Sequence, residues 1–285
     1  MSERALGSPP SAAARRKLRL AVTRLAMTLI CLFMLVPLYW MVITALKPLG
    51  EALQSPPTLW PHHLRWKNFT DVLHAAPFAR YISNSLITSL AVAVGNVATG
   101  SIAGYALARQ KFPGRGGLLA IVLGTVMIPV EATFIPNYVT IQHLHWYNSY
   151  TALIVPWLTG AFSIFLYRQT FMALPEALFD AARLDGCSEF RRFRSVALPL
   201  ARSVSLTVLL ISFVWNWNSL LWPLLTTSSP NLRVVQLGLT SFQTEGGVYV
   251  NLLMAATTLS VIPIAVLFVL TQRFIIKGIG EGALR

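Results

Sequence analysis

Residues 25–46 read LAMTLICLFMLVPLYWMVITAL and carry no charged side chain from end to end. As an α-helix this stretch would be about 33 Å long at roughly 1.5 Å per residue. That length matches the hydrocarbon core of a membrane, which is about 30 Å thick. The stretch ends at Lys47-Pro48, where a charge and a helix-breaking residue follow at once. We therefore predict that residues 25–46 cross a membrane as a helix.

Five more apolar runs of similar length follow along the chain. Hydrophobic residues make up 55% of the sequence and charged residues only 12%, about half of the charged share that is usual in soluble domains. A soluble protein of this size could not bury so much apolar surface in one core. The sequence thus predicts an all-α membrane protein in which residues 25–272 form a six-helix bundle. The predicted spans are 25–46, 82–108, 118–139, 150–172, 203–225 and 251–272, between a basic N-terminal segment (1–24) and a C-terminal segment (273–285).

The positions of the basic residues predict how this bundle is oriented. The net charge of +13 would also suit a nucleic-acid-binding protein, but such proteins cluster Lys and Arg on one face of a soluble module. Here short basic groups alternate with apolar runs, so we do not expect nucleic acid as a partner. With the N-terminus inside, 18 of the 23 Lys and Arg residues lie in inner segments, which predicts that both termini are cytoplasmic. The five in outer segments are Lys47, Arg65, Lys67, Arg80 and Arg233.

The predicted second span carries two glycines, Gly100 and Gly104, beside other small residues. Small residues four apart allow two helix backbones to approach closely. The pair would serve either packing inside the bundle or contact with a second copy of the chain. We favour packing inside the bundle.

The connection between the predicted fourth and fifth spans, residues 173–200, is longer than a simple turn. Pro175 suits the first position of a helix, because its missing N–H would be unpaired there in any case. The acidic Asp180 suits the positive N-terminal half of that helix, and Gly186 can take the left-handed conformation that ends it. We predict a short helix here and a second one at 188–196. A small apolar face flanked by charges is typical of a helix that docks in a partner's groove.

This loop and several other motifs resemble one known family. The run Asp180-Ala181-Ala182-x-x-Asp185-Gly186 is similar to the EAA loop of permease subunits of binding-protein-dependent ABC importers. The departures are Asp180, where the family usually has Glu, and Cys187, where it usually has Ala. Phe193, Val196 and Leu198-Pro199 follow at the distances expected for the EAA loop. The other motifs, which are similar to those of carbohydrate-uptake permeases, are Leu46-Lys47-Pro48, Lys67-Asn68-Phe69, Tyr81-Ile82-x-Asn84-Ser85, Gly104-Tyr105-Ala106-Leu107-Ala108-Arg109 and Phe112-Pro113-Gly114-Arg115.

The resemblance implies that the work is divided among several subunits. In this family the loop forms a coupling helix that seats in a cleft of the ATPase subunit. The implied partners are a second, homologous permease subunit, two ATPase subunits, an extracellular or periplasmic solute-binding protein, and the lipid of a bacterial inner membrane. ATP and Mg²⁺ would bind to the ATPase subunits, because this chain carries no G-x-x-x-x-G-K-[ST] phosphate loop. We therefore expect no catalytic residue, cofactor or metal site in this chain. The implied docking residues are Asp180, Ala181, Ala182, Asp185 and Gly186.

Polar residues inside the predicted spans are candidates for the solute pathway. Glu131 lies in the third span, where a carboxylate is costly unless it faces a polar cavity or stays protonated. Trp215, Asn216 and Asn218 in the fifth span combine an indole ring with amides, which suits stacking on a sugar or polyol and hydrogen bonding to it. Two other interpretations stay open. Glu131 would then hydrogen-bond between helices, and Trp215 would be an interfacial anchor.

The solute is indicated by finer resemblance. The runs Met127-Ile128-Pro129-Val130-Glu131 and Phe165-Leu166-Tyr167-Arg168-Gln169 resemble permeases for glycerol-3-phosphate or glycerophosphodiesters. The carboxylate of Glu131 would be poorly placed for direct contact with an anionic solute. A di- or oligosaccharide such as maltose or trehalose is therefore the alternative. An ion-coupled secondary transporter is a more remote one, since such a protein would carry paired intramembrane charges or inverted repeats.

Overall fold

The structure, a computed structural model, describes residues 12–244 and 247–282. The predicted segment 1–24 is thus described from residue 12, and the predicted segment 273–285 to residue 282. The described chain is almost entirely helical, with one antiparallel hairpin of β1 (Gln243–Thr244) and β2 (Gly247–Val248). The α-helices are α1 (Ala12–Ala45), α2 (Leu49–Ala52), α3 (Lys67–Ala75), α4 (Phe78–Arg109), α5 (Arg115–Val126), α6 (Phe134–His143), α7 (Tyr150–Ile154), α8 (Ala161–Ala173), α9 (Glu176–Leu184), α10 (Glu189–Arg192), α11 (Leu198–Leu200), α12 (Arg202–Trp217), α13 (Leu221–Thr226), α14 (Val235–Leu239) and α15 (Val250–Gly282).

Three of these helices, α1, α4 and α15, are each long and apolar enough to cross a membrane. Three further spans are present if each of three pairs of helical segments joined at a bend counts as one span. The described residues therefore contain up to six spans, which agrees with the predicted all-α, six-span fold. The bent pairs are Arg115–Val126 with Val130–His143 (101°), Tyr150–Trp157 with Ala161–Ala173 (40°), and Glu189–Leu200 with Arg202–Trp217 (78°).

The segment predicted as a third span, 118–139, is not one straight helix. α5 ends at Val126, a 3₁₀ turn follows at Val130–Thr133, and α6 then continues at a bend of 101°. Pro129 stands directly before the turn. It lacks the N–H that a continuing helix needs, and its ring clashes with the preceding turn of helix. The helix therefore breaks inside the segment 118–139, which was predicted to be one span.

The predicted fifth span, 203–225, also differs from the structure, because α12 ends at Trp217. The backbone amide and the side-chain amide of Asn218 both donate to the carbonyl of Val214, at 3.1 and 2.8 Å. These two bonds close the last turn of α12. Pro223 consequently lies in a separate short helix, α13.

The central helix of the bundle is α4, which packs against both α8 and α12. A Cβ added at Gly104 would lie 2.6 Å from the Cβ of Tyr167, and one added at Gly100 would lie 2.9 Å from the Cβ of Ser163. Because glycine has no Cβ, the backbones of α4 and α8 can approach to this distance. The structure thus places the glycine pair inside the bundle, as favoured above.

Polar side chains of α4 bond the backbone at the break between α7 and α8. The side-chain amide of Asn96 donates to the Trp157 carbonyl at 2.7 Å, and the Thr99 hydroxyl donates to the Leu158 carbonyl at 2.9 Å. The Ser163 hydroxyl in turn donates to Oδ1 of Asn96 at 3.1 Å. Without these partners, each buried carbonyl would cost several kcal/mol in lipid. The break therefore depends on the side chains of the neighbouring helix.

Asn68 joins three helices where α1 ends and α15 begins. It lies in α3, and its side-chain amide donates to the carbonyls of Ala45 and Lys47, both at 2.8 Å, where α1 ends. Its side-chain oxygen accepts a bond of 3.1 Å from the amide of Asn251 in α15. The motif residue Asn68 is therefore a structural link between α1, α3 and α15.

The loop after α1 is ordered around one buried lysine. Lys47 is only 1% exposed, and its ammonium group donates to the Thr58 carbonyl and lies 4.7 Å from the ring centroid of Trp40. Desolvation raises the pKa of the nearby Glu51 carboxyl, but bonds from the His62 amide and the Thr58 hydroxyl, with the positive charge of Lys47, outweigh it and lower this pKa. A lowered carboxyl pKa stabilises the folded loop above the usual carboxyl range, and this contribution is lost as the pH falls through the lowered value.

We predict that Gly104→Ala destabilises the bundle and that Gly117→Ala does not. The new methyl group at 104 would meet the backbone-linked Cβ of Tyr167 at 2.6 Å, whereas a Cβ at Gly117 meets nothing within 4 Å. Overpacking of this kind costs about 1–3 kcal/mol. Thermal unfolding of both variants in detergent, followed by size-exclusion chromatography, measures the difference. Equal unfolding temperatures for the two variants would contradict the close approach of α4 and α8.

Candidate functional site

A cavity of about 610 Å³ opens at the break in the third span. It lies between α4, the start of α8, α12 and the residues on both sides of that break. Its volume falls within the usual range of sites for small molecules, about 300–1,000 Å³. The bends in the third and fourth spans therefore leave space for a small solute inside this chain.

The lining of this cavity combines uncharged polar groups with aromatic rings. The side chains of Asn137, Thr159 and Ser212 line it and make no hydrogen bond to other residues that the structure describes. Trp157 and Trp215 contribute an aromatic wall, with ring centroids 5.0 Å apart. Among the described residues, no Asp, Glu, Lys or Arg side chain lines it. The cavity can thus offer hydrogen bonds and a stacking surface to a polyol or a sugar.

The N-terminal end of α8 also faces this cavity. Gly160, Ala161 and Phe162 are among the lining residues, and no side chain caps the first amides of the helix. The first N–H groups of a helix have no partner within the helix, and this end of the helix carries a partial positive charge. The uncharged cavity therefore has one region of positive potential.

Two of the residues predicted to line the solute pathway are Glu131, in the third span, and Trp215, in the fifth. Trp215 lines the cavity and Glu131 does not. Glu131 lies in the 3₁₀ turn at the break, between Val130 and Thr133, which do line it. Its side chain is exposed on the surface of this chain and makes no ion pair or hydrogen bond with a described residue. The carboxylate therefore lies outside the cavity in this conformation.

Two asparagines were predicted to line the pathway, but their side chains form hydrogen bonds with other parts of the protein. The Asn216 side-chain amide donates to the hydroxyls of Thr88 and Ser89 in α4, at 3.4 and 3.2 Å. Asn218 closes the end of α12 and accepts a bond of 3.2 Å from the Gln236 side chain. Neither amide lines the cavity. Asn216 instead joins α12 to α4.

The predicted helix in the 173–200 loop is α9, which begins directly after Pro175. It ends before Gly186, whose φ of +71° lies in the left-handed region. A residue with a Cβ is strained there, which explains the need for glycine. The Ser188 side chain then accepts a bond from the Arg191 amide and starts α10. The predicted second helix, 188–196, is thus split into α10 and a π-helical turn, Phe193–Ala197.

α9 has one buried face and one exposed face. Phe179 is buried in a cluster with Tyr105 and Phe171, and Ala182, one turn later, is only 7% exposed. Ala182 therefore faces its own bundle in this conformation, and its role in docking stays a prediction. The other four predicted docking residues, Asp180, Ala181, Asp185 and Gly186, are exposed.

Two residues that have features of a functional site were not predicted from the sequence. Leu184, at the end of α9, is 90% exposed, which is unusual for a leucine on a short helix outside the bundle. The amphipathic spacing of Phe179 and Ala182 would have left it on the outer face. Asn137 lines the cavity, but nothing in the sequence indicated that α6 would turn towards α12.

Residues 96–281 match the family described as "Binding-protein-dependent transport system inner membrane component". The sn-glycerol-3-phosphate transport system permease protein UgpE of Yersinia pestis bv. Antiqua is 33% identical over 87% of this chain and 91% of its own length. The arabinooligosaccharides transport system permease protein AraQ of Bacillus subtilis is 28% identical over 95% of this chain and 99% of its own.

A solved structure has the same fold. It is the crystal structure of a bacterial ABC transporter involved in the import of the acidic polysaccharide alginate. One of its chains superposes with a TM-score of 0.80 at 19% identity, over 93% of this chain and 99% of that one. The resemblance predicted from the motifs is confirmed, and the chain belongs to the family of binding-protein-dependent transport system inner membrane components.

Proposed function

We propose that this chain is one of two permease halves of an ATP-driven importer, and that glycerol-3-phosphate or a glycerophosphodiester crosses the inner membrane through its cavity. The observation that carries the proposal is the presence of two features in one bundle. A mainly apolar cavity with uncharged polar groups lies within the spans, and a helix outside them exposes an apolar side chain among acidic ones. The first suits a solute, and the second suits a partner protein.

The cavity supports a small anionic polyol as the solute. Its free amide and hydroxyl groups can bond to solute hydroxyls, and the uncapped start of α8 offers N–H groups to a phosphate. Glu131, which would repel an anion, lies outside the lining. The similarity to UgpE permeases points to the same class of solute.

An oligosaccharide is the second candidate solute, and the pair Trp157 and Trp215 favours it. Two indole rings 5.0 Å apart provide a wall on which a sugar ring can stack. The similarity to AraQ supports this alternative. An ion-coupled secondary transporter has no comparable support, since no described acidic or basic side chain lines the cavity.

The exposed face of α9 supports docking to an ATPase subunit. Leu184 and Ala181 would enter an apolar groove, and Asp180 and Asp185 would bond at its rim. ATP and Mg²⁺ would bind in that partner. This arrangement requires α9, and with it both termini, to lie on the cytoplasmic side, as the excess of basic residues predicts.

The orientation can be tested with single cysteines. In a background with Cys31→Ser and Cys187→Ser, we expect Ser188→Cys to react with a membrane-impermeant maleimide in inverted vesicles but not in right-side-out vesicles. The exposed His63, in the loop on the opposite side, provides the matched control, since His63→Cys should give the reverse pattern. Labelling of position 188 from outside would rule out contact between α9 and a cytoplasmic ATPase.

Docking can be tested at Leu184. We expect Leu184→Asp to lower strongly both co-purification of the ATPase and solute uptake, while the amount of chain in the membrane is unchanged. Burial of a leucine contributes about 1.5–3 kcal/mol, so the loss should weaken docking roughly tenfold or more. Ser195→Asp adds the same charge at another exposed position of the loop and should retain the ATPase. If Leu184→Asp retains as much ATPase as the wild type, α9 does not dock through Leu184.

The pathway can be tested at Asn137. We expect Asn137→Leu to reduce uptake of radiolabelled glycerol-3-phosphate about tenfold, the effect of losing one polar contact of roughly 1.4 kcal/mol. The ATPase should stay bound. Asn231→Leu makes the same chemical change at an exposed position outside the lining, where the side chain makes no hydrogen bond with a described residue. It should alter uptake less than about twofold, a scale set by the small effects of surface substitutions.

Competition by unlabelled solutes distinguishes the two candidates in the same assay. Glycerol-3-phosphate should compete, and trehalose or maltose should not. Competition by the disaccharides, or no uptake of labelled glycerol-3-phosphate by the wild type, would favour the oligosaccharide alternative. Unchanged uptake in Asn137→Leu would remove the cavity from the pathway.

A further inference from the structure

Of the long helices that the structure describes, α4 is the one with neither a proline nor a break. α1 contains Pro37, α15 contains Pro263, and the remaining spans are bent pairs. A continuous helix moves as a rigid unit, whereas breaks and prolines are the usual positions of bending. α4 is therefore suited to transmit a displacement along its length.

One end of α4 contacts the start of α9 through Arg109. The guanidinium group bonds the Phe171 carbonyl at 3.0 Å and also the Leu174 carbonyl, where α8 ends. It pairs with the carboxylate of Glu176, the first residue of α9, and lies 4.2 Å from the ring centroid of Phe179. The side chain of Arg109 thus contacts the end of α8, the backbone that leads into α9, and the buried face of α9.

The chemistry of this contact requires arginine. The side chain of Arg109 is 13% exposed, so its bonds lie in a region of low dielectric where they are strong. The planar guanidinium directs several N–H groups at once, whereas a lysine presents a single charged centre. Its face can also stack on an aromatic ring, as it does on Phe179.

A second contact joins the same turn of α4 to α10. The Glu189 carboxylate accepts bonds from the Tyr105 hydroxyl at 3.2 Å and from the Gln110 side chain at 2.7 Å. It also pairs with Arg192 within α10. Both short helices of the loop are therefore attached to the last turn of α4 and its cap residue.

The opposite direction along α4 leads to the cavity. Val92 and Asn96 of α4 line it. Asn96 lies about 20 Å from Arg109 at roughly 1.5 Å per residue. The cavity wall and the attachment of α9 are thus parts of one unbroken helix.

We propose that Arg109 is a positioning residue that fixes α9 to α4, so that movement of α9 displaces the cavity-lining residues of α4. This inference rests on the proposed function, in which an ATPase docks on α9. Glu176 contributes the ionic part of the attachment. The carbonyls of Phe171 and Leu174 contribute the rest.

The test uses the complete complex with both permeases, the ATPases and the solute-binding protein, reconstituted in vesicles. In Arg109→Gln the ATPase should stay bound and hydrolyse ATP at the basal rate, while stimulation by the solute-loaded binding protein and uptake per ATP hydrolysed fall about tenfold, as for loss of a charged bond. Lys111→Gln removes the same charge from an exposed position two residues later and should behave as wild type. A defect in folding alone would lower the amount of complex, not this ratio.

Hydrogen exchange of the α9 amides measures the attachment directly. These amides should exchange faster in Arg109→Gln, to a smaller extent in Glu176→Gln, and at the wild-type rate in Lys111→Gln. Wild-type coupling and exchange in Arg109→Gln would overturn the inference. If that variant fails to insert, wild-type exchange and coupling in Glu176→Gln would overturn it as well. Failure of the wild-type complex to retain an ATPase would overturn the proposed function instead.

Discussion

In the hydrocarbon core of a membrane, no water is available to backbone groups that a break in a helix leaves unpaired. The predicted third and fourth spans of this protein are bent, so partners for the backbone groups at these bends must come from side chains nearby. At the bend between α7 and α8 these partners are Asn96 and Thr99. The position of α4 beside the bend is therefore a requirement of the fold. A cavity can form there only because a second helix supplies the missing hydrogen bonds.

This constraint explains why α4 carries so many polar and small residues. Glycines allow contact with α8, and amides and hydroxyls bond the backbone and side chains of neighbouring segments. Asn216, which faces the hydroxyls of α4 from α12, belongs to the same set of bonds. Polar residues in these spans thus serve two purposes, since some bond the protein to itself and others, such as Asn137, remain free to bond a solute.

The parts of the fold that depend on local chemistry were predictable from the sequence. The lengths of the apolar runs predicted the spans, and Pro175 and Gly186 predicted where α9 begins and ends. The breaks were not predictable, because proline has different effects in different places. Pro37 lies inside an unbroken helix, whereas Pro129 stands at a bend of 101°. The difference depends on neighbouring helices, which a single sequence does not reveal. For the same reason the cavity lining was predicted at Trp215 but missed at Asn137.

α9 shows how one motif can combine residues with separate roles. Ala182 belongs to the motif and faces inward, whereas Leu184 lies outside the motif core and faces outward. A large side chain at 182 would separate α9 from its own bundle. In the proposed complex, a charged one at 184 would instead disturb the groove of the partner. Loss of transport at Ala182 would therefore say nothing about docking by itself. The two roles can be separated only when retention of a partner and attachment of the helix to the bundle are measured independently. In the proposed complex, α9 must be held by its own chain before a partner can displace it.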